Sequence, residues 1–212
     1  MANMEDVLEV YQRPYDPTIP QICMDEQPVQ LIKETRGPLP RAPGKPERYD
    51  YEYERNGTAN IFMFSQPVVG GRRVSVREHK TAIDWAEEIR MLLEEDFPEE
   101  AKIALVCDNL NTHTIASLYK AFAPAQARSL AERLEMHFTP KHGSWLNMAE
   151  IELSVLTQQC LDRRIPDLQT LIDETQAWQH HRNTGTKTID WHFKTEDARI
   201  KLNRLYPQIK ES

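Results

Sequence analysis

Phe138-Thr139-Pro140-Lys141-His142-Gly143-Ser144-Trp145-Leu146-Asn147-Met148-Ala149-Glu150 is the stretch whose reading decides the fold. It reads as the end of a strand, a turn through Pro140 and Gly143, and the entry of a helix. That helix carries an apolar stripe at Leu146, Ala149, Leu153, Leu156 and Cys160, the three-four spacing of a packed face. Glu150 sits at the edge of the stripe, so the core holds the helix while the carboxylate borders a cleft. Upstream, the apolar run Ile103 to Cys107 ends abruptly on Asp108, and Ile22-Cys23-Met24 ends on Asp25. Two strands ending on Asp and a helix presenting Glu form the skeleton of a two-metal phosphoryl-transfer site.

The rest of the chain fits around that skeleton. Ile19 to Met24 reads as a buried first strand, with Gln27 to Leu31 either continuing it or bending away. Residues 33 to 55 are irregular and rich in proline, and their spaced bases Lys33, Arg36, Arg41, Lys45 and Arg48 suit either a phosphate backbone or a solvated loop. Thr58 to Gln66 and Arg72 to Glu78 form a hairpin. Thr81 caps a helix running to about Phe97 with Ile83, Ala86, Ile89, Leu92 and Leu93 inward. Ala101 to Cys107 is the next strand, followed by helices over about 112–122 and 124–134, a strand from Leu134 to Thr139, and the opening stretch. Pro166 breaks its helix, and Asp167 caps another that runs to about His181. The order predicts an α/β fold, a mixed sheet of five strands flanked by helices, with acids at strand C-termini. Residues 1–18 read as a linker remnant, 19–182 as the catalytic domain and 183–212 as a C-terminal extension.

Composition sets bounds. The 212 residues suffice for a sizeable core. No apolar run approaches a membrane span, and the first residues lack a signal-peptide pattern. Cys23, Cys107 and Cys160 sit in apolar segments rather than at metal-ligand spacings, as buried thiols of a reducing, cytoplasmic protein. The net charge of −7 argues against a nucleic-acid partner, but eight acids between residues 84 and 100 face only Arg90 there, so the remainder is close to neutral.

Phosphoryl transfer at a phosphodiester needs hard cations and oxygen ligands, which Asp and Glu supply. Most of the 33 acids are solvated surface groups. Asp25 and Asp108 differ, because each ends a run too apolar to tolerate an unpaired charge. For the third acid the spacing leaves Glu150 and Glu152 open: two residues apart on a helix, they point about 200° apart.

Three segments together, Met24-Asp25-Glu26, Val106-Cys107-Asp108-Asn109-Leu110-Asn111-Thr112-His113 and Gly143-Ser144-Trp145-Leu146-Asn147-Met148-Ala149-Glu150, resemble bacterial insertion-sequence transposases of the mariner superfamily, insertion sequence 630 family. The resemblance runs from about residue 19 to residue 206. It implies an RNase H-like domain with a DDE triad at Asp25, Asp108 and Glu150, the last chosen over Glu152 because it follows the Leu-Asn pair. It also implies Mg²⁺, with Mn²⁺ able to substitute, as two ions held by those three acids. Cleavage at transposon ends and strand transfer into target DNA would follow, with a homodimer as the working form. Asp108 and Glu150 lie further apart than the family's usual spacing, and the extra length reads as a surface insertion at 123–133.

Other residues take smaller parts. Asn109 is expected to brace the turn beside Asp108, and His113 to stand near the chemistry or cap a surface helix. Lys141 and His142 precede a helix N-terminus and suit phosphate, as do Arg36 and Lys45. Trp145 reads as a core plug rather than a base-stacking wedge. The helix-turn-helix domains that family members carry ahead of the catalytic domain have no counterpart here. That points to a split reading frame with a separate DNA-binding polypeptide, or to a truncated copy. The rival expectations are a non-catalytic remnant that binds DNA or a sister transposase, and another RNase H-like nuclease.

Overall fold

The strands are β1 (Gln21–Glu34), β2 (Tyr53–Gln66), β3 (Gly71–Arg77), β4 (Ile103–Cys107) and β5 (Leu134–Phe138). They form one sheet in the order β3-β2-β1-β4-β5. β2 pairs antiparallel with both β1 and β3, whereas β1, β4 and β5 are mutually parallel. This is the mixed five-stranded sheet expected from the sequence. The computed structural model describes residues 1–35, 43–44, 52–99 and 102–206. Arg36, Arg41, Lys45 and Arg48 lie outside the described residues. Among the described residues no helix is long and apolar enough to cross a membrane.

Period-two alternation divides the core between the two faces of the sheet. Cys23, Ala59, Ile61, Met63, Ala104 and Val106 face one side. There they meet α1 (Ala2–Gln12), α5 (Met148–Leu156), α6 (Leu168–Thr184) and α7 (Thr195–Lys201). Ile22, Met24, Phe62, Phe64, Ile103, Leu105 and Cys107 face the other side, under α2 (Ala82–Met91), α3 (Ile115–Ala121) and α4 (Pro124–Glu132). Thr81 closes a capping box on α2: its hydroxyl accepts from the Asp84 N–H, and the Asp84 carboxylate accepts from the Thr81 N–H at 2.8 Å. The Asp167 carboxylate accepts from the Thr170 N–H at 2.8 Å and starts α6.

Several expectations give way. Residues 2–12, read as part of a linker remnant, are α1, which buries Met4, Val7, Leu8 and Val10. Pro14 and Pro17 lie beyond its end and break nothing inside it. Residues 183–206 also pack inward: Trp191 and Phe193 join the core, and Arg199 on α7 pairs with Glu5 on α1. β1 runs ten residues past Met24 because β2 pairs with it through Lys33 and Glu34, although β4 pairs only as far as Cys23. Asp25 therefore lies within β1, at the point where its β4 partner ends. On α2, Ile83 is exposed and Trp85 turns inward, and the helix loosens into a wide turn over Leu92–Asp96. The segment 123–133, read as a surface insertion, is α4, whose Ala127 and Leu130 are core residues.

Candidate active site

Three elements converge where β4 ends. Asp25 follows Met24, whose side chain packs under α2 and α3, so alternation turns Asp25 to the α5 face and Glu26 back to the α2 face. Asp108 follows Cys107 at the end of β4, and the Thr139 N–H donates to the Cys107 carbonyl at 2.9 Å, tying the end of β5 to the same place. Glu150 occupies the first turn of α5.

The entry to α5 is built residue by residue. Gly143 donates its N–H to the Pro140 carbonyl at 2.8 Å, and a Cβ at this glycine would stand 2.4 Å from the Pro140 ring. Only a glycine fits that close approach. A single tight turn over Ser144–Leu146 follows. Asn147, buried, caps α5 by accepting from the Ala149 N–H at 3.1 Å. Its amide also donates to the Met24 carbonyl at 2.8 Å. The helix that carries Glu150 is thereby pinned to the strand residue next to Asp25.

Asp108 and Glu150 both lie close enough to act on the Asp25 charge. Burial, reinforced by the charges of Asp108 and Glu150, pushes the Asp25 carboxyl up to about 7 from an ordinary 3.8. Glu152 turns the other way and is fully buried: its carboxylate accepts from Arg72 at 2.7 Å and from Arg182 at 3.1 and 3.2 Å. Burial opposes its ionisation, but the two guanidinium groups outweigh that and hold its carboxyl below the usual range. The two acids that spacing left open are thus separated: Glu150 faces Asp25 and Asp108, and Glu152 straps α5 to β3 and α6.

His113, buried, lies between two carboxylates. Its Nε2 is 2.9 Å from Glu26 Oε1 and its Nδ1 is 2.6 Å from Asp108 Oδ1. The Trp85 ring stacks on it with centroids 5.8 Å apart. Burial opposes a charged ring, but contacts with Asp108, Cys107 and Glu26 push its pKa up to about 11, so both ring nitrogens carry protons. A surface or capping role is thus replaced by a buried bridge. Asn109 is exposed and makes no hydrogen bond among the described residues; the His113 N–H closes that turn by donating to the Leu110 carbonyl at 3.0 Å. Lys141 and His142 are both exposed on the turn before α5. Trp145, expected in the core, is 46% exposed; it stacks on the half-buried Trp191 and meets Phe193 edge-on.

Sequence reading missed Glu26, Asn147 and Trp85. Asn147 had a local signal, a polar residue directly before an apolar helix. Glu26 and Trp85 had none, since their partner His113 is distant in sequence.

Among the described residues, no three Asp, Glu, His or Cys side chains converge tightly enough to hold a metal ion as they stand. The donor set nevertheless suits a hard cation. It offers only carboxylate oxygens, Asp108 Oδ1 is buried without an aligned hydrogen bond, and Asp25 bears an uncompensated charge penalty.

Residues 20–172 match the family model described as "DDE superfamily endonuclease". The chain belongs to this family. No curated protein sequence matches it. Among solved structures, the Mos1 strand transfer complex matches with a TM-score of 0.60 at 14% identity, over 88% of this chain and 54% of that one. The Mos1 mariner paired end complex with Mn matches at 0.53 and 16% identity, over 85% of this chain and 55% of that one. The catalytic domain of Mos1 mariner transposase matches at 0.53 and 11% identity, over 84% of this chain and 78% of that one. The chain thus spans about half the length of the Mos1 chains in those complexes, and the likeness establishes its RNase H-like fold.

Proposed function

We propose that this chain is the catalytic domain of a DDE transposase, which cleaves DNA at transposon ends and transfers the strand into target DNA. The observation that supports the reading is the placement of Asp25 where its β4 partner ends, of Asp108 directly after β4, and of Glu150 in the first turn of α5, which Asn147 ties to β1. Membership of the DDE endonuclease family and the Mos1 fold likeness support it. The Asp108-Asn109…His113 and Leu146-Asn147…Glu150 elements favour the insertion sequence 630 branch.

On this reading the three carboxylates hold Mg²⁺ or Mn²⁺. Bound there, divalent cations neutralise charge on the phosphodiester and lower the pKa of an attacking water or hydroxyl. The protein's own contribution is positional. Asn147 fixes Glu150 against β1, and burial keeps Asp25 in a poorly solvated cleft where charge acts strongly. Lys141 and His142, on the exposed turn ahead of α5, meet the DNA phosphates, and Arg36 and Lys45 are further candidates by charge alone. Hydrolysis leaves a 3′-hydroxyl, which attacks a target phosphodiester in line and displaces its 3′ oxygen. A homodimer brings two DNA ends together.

The test is nicking of supercoiled plasmid by the purified chain with Mg²⁺ or Mn²⁺. Cleavage should vanish with EDTA and with Asp108→Asn. Cleavage that survives Asp108→Asn overturns the reading. Preference for an RNA–DNA hybrid over duplex DNA would assign the same site to a different nuclease. Metal binding without any cleavage would favour the non-catalytic remnant.

A further inference from the structure

We infer that Glu26 is a positioning residue for the metal site, acting through His113 on Asp108; the inference rests on the reading of Asp108 as a metal ligand. Asp25 and Glu26 are adjacent, yet strand alternation sends them to opposite faces of the sheet. Asp25 joins the cluster with Glu150. Glu26 goes under α2, where its side chain is only 2% exposed. A carboxylate that deep needs partners. It has His113 Nε2 at 2.9 Å and Lys80 Nζ at 3.6 Å.

The geometry gives this pair a direction. His113 is held at one nitrogen by Glu26 and over its ring face by Trp85, so its Nδ1 has a fixed place. Asp108 Oδ1 lies 2.6 Å from it, a charge contact without the alignment of a hydrogen bond. Oδ1 is completely buried, whereas the Asp108 side chain as a whole is 34% exposed. The exposure therefore belongs to the rest of the carboxyl group. One oxygen is turned into the protein against His113, and the other is left for the open side of the site. A carboxylate fixed by one oxygen binds a cation with less rotational freedom to lose, and supporting contacts of this type change metal affinity by about 10- to 100-fold. Glu26 thus belongs to the site while facing away from it.

The test is Mn²⁺ affinity of the full chain, followed by calorimetry and by the electron paramagnetic resonance signal of free Mn²⁺, without DNA. Glu26→Ala should weaken binding by about 10-fold or more, and Glu26→Gln, which keeps an acceptor for Nε2–H, should recover most of that loss. A double-mutant cycle supplies the readout that a purely structural role would not move. In an Asp108→Ala background, Glu26→Ala should cost no further affinity, because its influence passes through Asp108. Additive losses overturn the inference, since they mean that Glu26 ligates the ion directly or acts on the fold at large. Unchanged affinity in a folded Glu26→Ala also overturns it. If Glu26→Ala does not fold, Glu26→Gln and His113→Gln carry the same cycle. The underlying reading fails separately and visibly: Asp108→Ala alone would then leave Mn²⁺ binding intact.

Discussion

Two glutamates on α5, Glu150 and Glu152, are two residues apart and live under opposite electrostatic conditions. Glu152 is buried between Arg72 and Arg182, with its charge compensated. Glu150 and Asp108 add their charges to the burial that pushes the Asp25 carboxyl up to about 7. Both clusters join α5 to the sheet. The compensated one holds the helix in place, and the uncompensated one stores a repulsion that a cation would relieve. The difference teaches that acidity alone does not mark a site. What marks it is a buried acid, Asp25, whose burial the surrounding charges do not offset.

The comparison breaks hardest at the compensated cluster. Glu152→Ala leaves the buried Arg72 guanidinium without its carboxylate and should cost about 3–5 kcal/mol, read from urea unfolding. A loss below about 1 kcal/mol would mean that the strap contributes little. Next, Asn147→Ala removes both a cap and a buried bond to β1, for about 2 kcal/mol. Mn²⁺ affinity should fall with it, because Glu150 loses its anchor; unchanged affinity would show that the anchor does not position the acid.

At the uncompensated cluster the sign reverses. Asp25→Asn should abolish cleavage yet stabilise the metal-free protein at pH 8 by about 1–2 kcal/mol. The pH dependence follows from the same shift. The folded Asp25 holds a proton up to about 7, and the unfolded one only to about 3.8. The native state therefore binds more protons between those values, and stability falls as pH rises from about 4 to 7. His113, raised to about 11 from 6.5, adds a second decline over the higher range, present below 6.5 and lost as pH climbs to 11. Melting in EDTA should show both limbs, and Asp25→Asn should flatten only the lower one. The smallest effect belongs to an exposed pair. Arg199, with help from Tyr206, lowers the Glu5 carboxyl to about 2. Its stabilisation, present above 4.5, is lost as pH falls through about 2, and Glu5→Gln should barely move the melting midpoint at pH 7.

The sheet was legible because its signals are local. Alternation in β2, the apolar run of β4, the Thr81 and Asp167 caps and the hairpin at residues 66–71 each sit within a few residues. Asp25 and Asp108 stood out because each directly follows an apolar run, whereas spacing left Glu150 and Glu152 open and only the family resemblance chose between them. What escaped depends on distant partners. Glu26 and His113 lie 87 residues apart, and Arg72 and Glu152 lie 80 apart. No spacing rule joins such pairs. α1 escaped for another reason: Met4, Val7, Leu8 and Tyr11 show helical periodicity, but the prolines that follow drew the reading toward a linker. Trp145 was misplaced because size and apolarity suggest burial, whereas the tight turn at Ser144–Leu146 sends Leu146 inward and leaves the indole on the surface.

The bond from Asn147 to the Met24 carbonyl has a consequence for how the site tolerates change. The carbonyl belongs to the peptide unit that precedes Asp25, so the spacing between the first and third acids is set by main chain rather than by packed side chains. Substitutions in the surrounding core can alter volume and stability while that dimension persists. The acid-to-acid separation behaves as a property of the backbone framework, with one asparagine as its gauge.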